Sequence, residues 1–158
     1  MNKKKECLLA PGTGKTLPLS AVPDEVFAAE ILGKGIAIEP SDGRFFAPVS
    51  GKILSIADTK HAFTLVSDNG IDVLVHIGVD TVSLGGKGFA VHVSQGDRVG
   101  AGDLIAEADI DFIRSRGLSA ICSVVVTEPD RVENIEYKPG VCIGGKDAIM
   151  CYTLTGKG

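Results

Sequence analysis

Two of the chain's three histidines, His61 and His76, flank a stretch that reads as one β-hairpin. The run Thr59-Lys60-His61-Ala62-Phe63-Thr64-Leu65-Val66-Ser67 and the run Ile71-Asp72-Val73-Leu74-Val75-His76-Ile77-Gly78 are β-rich and alternating, and Asp68-Asn69-Gly70 separates them. That is a strong short-range hairpin signal. With Asn69-Gly70 as the turn the two histidines lie diagonally across the strands; with Asp68-Asn69 they lie directly opposite. In both registers they share a face, with Cβ atoms about 5–8 Å apart. Only an odd-length loop separates them. Alternation adds Phe63, Leu65 and Leu74 to the histidine face and sends Ala62, Thr64, Val66, Val73, Val75 and Ile77 to the other. A neutral imidazole has an in-plane lone pair and needs no base to attack an electrophilic centre. Two of them brought together on an otherwise apolar face suggest chemistry, although a shared face is also compatible with ordinary strand positions.

Three other motifs invite chemistry and fail on their details. Leu8 to Thr16 ends in Gly14-Lys15-Thr16 like a phosphate-binding loop, yet Leu9 stands where that loop needs its first glycine. Pro18 and Pro23 also forbid the long helix that should follow. Gly96-Asp97-Arg98-Val99-Gly100-Ala101-Gly102-Asp103 is similar to the corner of lipoyl and biotinyl carrier domains, but Ile110 stands where the carrier lysine belongs. What survives is a hint of a barrel-sandwich hybrid corner. His76 and Asp80 have the H-x-x-x-D spacing of lysostaphin-type zinc peptidases, without the H-x-H pair that completes such a site. His92, between Val91 and Val93, reads as a surface or satisfied strand residue.

The elements that must position the histidines are short. Strands are expected over Gly35–Glu39, Phe45–Ala47, Leu104–Glu107, Val124–Val126, Val132–Tyr137 and Ala148–Leu154, besides the two runs of the hairpin. Pro23 to Leu32, with acids in its first turn and Gly33 after it, reads as a short helix. So does Asp109 to Arg116, acidic at its start and basic at its end. An internal echo, A-P-x-x-G-K-x-L, begins at Ala10 and again at Ala47, 37 residues on. It implies a duplicated β architecture, so the expected fold is an all-β sandwich or barrel-sandwich hybrid with a duplicated hybrid motif and one or two short helices.

Composition bounds the rest. At 158 residues and 44% hydrophobic, the chain is expected to form one domain over 8–158, with 1–7 a tail or linker remnant. A net charge of −4 without long basic runs argues against nucleic acid or an anionic membrane as partner. The apolar run after Lys3-Lys4-Lys5 stops at Pro11, too short for a signal peptide, and nothing reaches the length of a membrane span. Cys7, Cys122, Cys142 and Cys151 have no CxxC spacing and read as buried thiols in a reducing compartment.

Longer runs carry a resemblance. Thr59-Lys60-His61-Ala62-Phe63, Val73 to Val82 with its L-V-H-x-G-x-D-T-V pattern, and Gly85-Gly86-Lys87-Gly88-Phe89 resemble the glucose-class enzyme IIA of the bacterial phosphoenolpyruvate:sugar phosphotransferase system. Val22 to Phe27, Leu32 to Pro40 and Ala47 to Ile53 are similar to it as well. The resemblance implies a cytoplasmic phosphotransferase component, free or tethered through a membrane permease. It takes a phosphoryl group from the phosphocarrier HPr on a histidine and passes it to a cysteine of the cognate IIB domain. It implies that His76 is the phosphoacceptor, that His61 stabilises the phosphoryl group, that Thr59 orients His61, and that Asp80 is close by. Val26, Phe27, Ile31, Leu74 and Val82 fall where the family has its apolar docking surface, and Phe63 joins them by strand alternation. No cofactor is implied, with zinc at His61 and His76 only adventitious or partner-assisted, and regulatory proteins are a further class of partner. Ala57, in place of a rim aromatic in some relatives, and His92 depart from the pattern.

Overall fold

The computed structural model describes residues 4–156. Its strands are β1 (Lys5–Leu9), β2 (Gly12–Pro18), β3 (Lys34–Phe46), β4 (Gly51–Ile56), β5 (Ala62–Ser67), β6 (Asp72–Ile77), β7 (Phe89–Val91), β8 (Arg98–Val99), β9 (Leu104–Ala108), β10 (Cys122–Val126), β11 (Val132–Tyr137), β12 (Val141–Cys142) and β13 (Ala148–Leu154). Two short helices, α1 (Glu25–Ala28) and α2 (Ile110–Ser115), complete the regular structure with three 3-10 turns. A ten-stranded antiparallel sheet runs β12-β2-β3-β10-β6-β5-β4-β8, with β9 joining β3 to β7 off that path. A three-stranded sheet, β1-β13-β11, closes the other side. The all-β expectation holds.

Between the layers lie Leu8, Ile38, Phe45, Ile53, Leu65, Ile77, Ile105, Ile113, Met150 and Tyr152, each essentially without solvent contact. Full burial of such side chains stabilises by about 1.5–3 kcal/mol each, an upper estimate before chain entropy. A second, smaller cluster of Leu19, Val22, Phe27, Ala37, Val79 and Val125 packs on the opposite face of β3 and β10. That cluster underlies the histidine site.

The repeated A-P corners are related by a local two-fold. Leu9 N–H donates to Pro48 O at 2.9 Å, and at the equivalent place Phe46 N–H donates to Pro11 O at 2.8 Å. Ala10 exchanges hydrogen bonds with Asp147 and Gly145 just as Ala47 does with Asp103 and Gly102. The β2–β12 pairing at Gly14 and Lys15 is mirrored by the β4–β8 pairing at Gly51 and Lys52. Each corner thus buries a proline turn whose backbone groups are satisfied across the axis.

Several expectations need correction. Residues 35–39 and 45–47 are not separate strands: β3 runs unbroken from Lys34 to Phe46, pairing with β10 over Lys34–Ile38, with β2 as far as Phe45 and with β9 over Arg44–Phe46, and Ala47 lies just beyond it. Helix α1 covers only Glu25–Ala28, because Glu30 adopts a left-handed conformation (φ 57°) that an α-helix cannot continue. By contrast α2 starts where expected, Asp109 accepting from Phe112 N–H at 2.9 Å. The expected tail, 1–7, is strand from Lys5 onward; its residues 1–3 lie outside the described residues. Glu6 takes the Tyr152 hydroxyl proton bond and accepts from Asn69 at 3.1 Å, which ties this strand to both sheets. Finally, Cys7 and Cys151 face each other in the β1–β13 register and form a disulfide, so only Cys122 and Cys142 are buried free thiols. Spacing in sequence carries no trace of a pair 144 residues apart.

Candidate functional site

The hairpin that carries the histidines has an odd loop. Ala62 pairs with His76, Thr64 with Leu74 and Val66 with Asp72, so Asp68-Asn69-Gly70 forms a three-residue connection. Gly70, at φ 83°, supplies the left-handed position such a loop requires. This register reverses the expected faces of β5 and leaves those of β6 as expected. Phe63 and Leu65 join Val73, Val75 and Ile77 in the core, whereas Ala62, Thr64 and Leu74 share the outer face with His76. Phe63, expected among exposed partner-binding residues, is a core residue at 2% exposure.

The imidazoles meet all the same, for a reason outside the ladder. His61 precedes β5 and follows Lys60, which is left-handed (φ 63°), so strand alternation no longer governs its direction. Lys60 N–H donates to Ala57 O at 2.8 Å and closes the turn that delivers His61. Its ring is buried and meets the His76 ring edge-on, with centroids 4.8 Å apart and planes at 78°. Thr59 Oγ1 lies 2.7 Å from His61 Nδ1.

His76 is held from two sides. The Phe27 ring of α1 packs against it at 5.0 Å, and Nδ1–H donates to Gly78 O at 2.8 Å. That carbonyl accepts only, so the ring proton sits on Nδ1 and Nε2 keeps its lone pair. Asp24, which caps α1 by accepting from Val26 N–H at 2.9 Å, and Asp80, left-handed at the start of the 3-10 turn Thr81–Leu84, both act electrostatically on the ring. The first amides of that turn, Thr81 and Val82, have no partner within it.

The Gly78 carbonyl, as distinct from the backbone N–H groups of the Gly78–Thr81 turn, and Asp24 escaped the sequence reading as site groups. The His-x-Gly spacing and the Pro-Asp helix start were the available signals.

Burial holds both imidazoles below their ordinary 6.5. At His61 the neighbouring His76 lowers it further; at His76 the Gly78 carbonyl and the Asp24 and Asp80 carboxylates offset part of the burial effect. Unfolded histidines take up protons near 6.5 and these two do so only at lower pH. Their contribution to stability is therefore complete above 6.5 and is lost as pH falls through the window beneath it. An NMR titration of the ring protons is expected to give midpoints below 6.5 for both, and a midpoint at or above 6.5 for either would contradict this.

Around the rings, Val26, Ile31 and Val82 are exposed at 40%, 69% and 56%, an apolar rim continued by the half-buried Leu74. Phe27, placed by expectation on a docking surface, is only 5% exposed and lies beneath this rim against His76. His92 is not part of this arrangement; its Nε2 is hydrogen-bonded to a Glu107 carboxylate oxygen at 2.8 Å. Among the described residues no group of three His, Cys, Asp or Glu side chains is placed to hold a metal, and no helix is long and apolar enough to cross a membrane.

This duplicated β fold with an apolar-rimmed imidazole pair belongs to the EIIA 1 family of the phosphoenolpyruvate-dependent sugar phosphotransferase system, whose model matches residues 6–132. Among solved structures the chain is similar to the glucose permease IIA from Mycoplasma capricolum, at 36% identity and a TM-score of 0.87, over 94% of this chain and 96% of that one. The protein is a glucose-class phosphotransferase component acting in phosphoryl transfer, and its family works with HPr and IIB components.

Proposed function

We propose that His76 Nε2 accepts a phosphoryl group from phosphorylated HPr and passes it to a cysteine of a cognate IIB domain, in the cytoplasm. The observation that carries this reading is the Nδ1–H bond to Gly78 O, which leaves Nε2 unprotonated beside a second imidazole. In the forward step the Nε2 lone pair forms the N–P bond while the bond from phosphorus to the donor breaks, its electron pair staying with the donor. The transition state is loose, so catalysis is mainly positioning and charge stabilisation. Thr59 donates its hydroxyl proton to His61 Nδ1, and His61 then offers Nε2–H to the phosphoryl oxygens. The Thr81 and Val82 amides are further donors for the same oxygens.

Asp24 and Asp80 work in the opposite sense. Their carboxylates repel the phosphoryl group, which keeps it transferable. The rim of Val26, Ile31, Leu74 and Val82 docks both partners in turn and keeps water from the phosphohistidine. No cofactor enters; a zinc ion on His61 and His76 would need further ligands from a docked protein.

Phosphoenolpyruvate with enzyme I and HPr is expected to label one residue, mapped to His76 Nε2 by phosphorus NMR. His61→Gln is expected to accept the group still but to pass it to IIB about 10²–10³-fold more slowly, the cost of one oriented donor. Transfer to IIB at the unaltered rate would remove His61 from its assigned role.

A further inference from the structure

We propose that Thr81 is a positioning residue for His76: its side chain locks the turn whose Gly78 carbonyl selects the imidazole tautomer, an inference that rests on the acceptor role proposed above. Thr81 is fully buried, a costly place for a hydroxyl without a partner. Its Oγ1–H donates to Ile77 O at 2.5 Å.

Peptide planarity gives this bond its leverage. The Ile77 carbonyl and the Gly78 N–H lie in one rigid plane. Thr81 holds the oxygen end and Ile121 O, 3.0 Å from Gly78 N, holds the other. The next plane contains the Gly78 carbonyl and the Val79 N–H. Ser119 O accepts from Val79 N–H at 3.0 Å, and His76 Nδ1–H meets the carbonyl at 2.8 Å. Gly78 is the only joint between the two planes, and it sits at φ 79°. With both planes pinned, its carbonyl has a single direction, toward His76.

The Thr81 methyl group supports the same joint. A Cβ on Gly78 would collide with it and would lie 2.9 Å from Ser119 O, so the methyl closes the space beneath the turn. Asp80, left-handed at φ 59°, is the bend that folds Thr81 back under Gly78. Ile77 also reaches the second imidazole's backbone, donating to His61 O at 2.7 Å. When the hydroxyl is removed, the first plane loses its oxygen-side anchor and the Gly78 carbonyl can turn from Nδ1. His76 then populates both tautomers, and in one of them Nε2 carries the proton and cannot attack phosphorus.

The test uses the full chain as wild type, Thr81→Val, Thr81→Ser and Thr81→Ala. Nitrogen-15 NMR above pH 7 reads the His76 tautomer with no donor protein present, and single-turnover transfer from phosphorylated HPr reads the rate. Wild type and Thr81→Ser are expected to show the Nδ1–H tautomer alone. Thr81→Val and Thr81→Ala are expected to show a mixture and an acceptor rate about tenfold lower, the scale on which ring-orienting partners act. A pure Nδ1–H spectrum for Thr81→Val, equal spectra for Thr81→Ser and Thr81→Ala, or Nε2–H in wild type each overturns the proposal. If Thr81→Val does not fold, the Ser and Ala proteins, which differ by the hydroxyl alone, decide in the same way. A wild-type protein with the Nδ1–H tautomer that takes no phosphoryl group counts against the acceptor role instead.

Discussion

His76→Ala is expected to abolish all incorporation of phosphate from phosphoenolpyruvate through enzyme I and HPr, while the protein stays folded. The effect is total because the substitution removes the nucleophile rather than a supporting contact. His61 is a poor substitute: its ring is buried, Thr59 occupies Nδ1, and its remaining nitrogen carries the proton in the role proposed for it. Retention of the fold follows from location. His76 stands on the outer face of β6, half-buried against Phe27, whereas the core-facing positions of the strand are Val73, Val75 and Ile77. Loss of that contact costs about 1–2 kcal/mol, within the usual range for single substitutions. Mass spectrometry after incubation with the relay, alongside a circular dichroism melt, reads both halves. Wild-type labelling of the folded variant would show that the acceptor lies elsewhere.

The second large effect concerns stability. Opening the Cys7–Cys151 disulfide is expected to lower unfolding free energy by about 5 kcal/mol, because a bond between residues 144 apart restricts nearly the whole unfolded chain. The folded state itself changes little. β1 keeps its pairing with β13, the Glu6 bonds to Tyr152 and Asn69, and the Leu9 bond to Pro48. Urea denaturation of oxidised protein and of a Cys7→Ser, Cys151→Ser double variant gives the difference. Thiol titration of unfolded, unreduced protein is expected to find the two free cysteines, Cys122 and Cys142, and no more. Four titrating thiols, or a stability difference under about 1 kcal/mol, would contradict this reading. Since the bridge joins β1 to β13 and the imidazoles sit by β5 and β6, phosphoryl labelling is expected to be equal in both forms.

The imidazole pair illustrates how a right outcome can have a different cause. Alternation and a two-residue turn predict a shared face for His61 and His76; the three-residue loop denies it, and the left-handed Lys60 restores the meeting. Loop length could not be read from Asp68-Asn69-Gly70, since that tripeptide supports two-residue and three-residue connections alike. The cost of the error fell on Phe63, which one register places beside the rings and the other places in the core. The rim residues Val26, Ile31 and Val82 did not depend on that register, because α1 and the turn after β6 present them.

By itself the chain's order of residues determined what is local or repeated: the strand-rich pattern, the Asp109 helix start, the paired A-P corners, and the histidine motifs with their family resemblance. Tertiary structure alone decided the disulfide partner of Cys7, the single course of β3, and which nitrogen of His76 is free. The division is physical. Turn and cap preferences arise from backbone torsions and neighbouring groups, so a few adjacent residues express them. A tautomer depends on which carbonyl faces a ring, and that carbonyl is aimed by partners such as Ile121 and Ser119, more than forty residues along the chain.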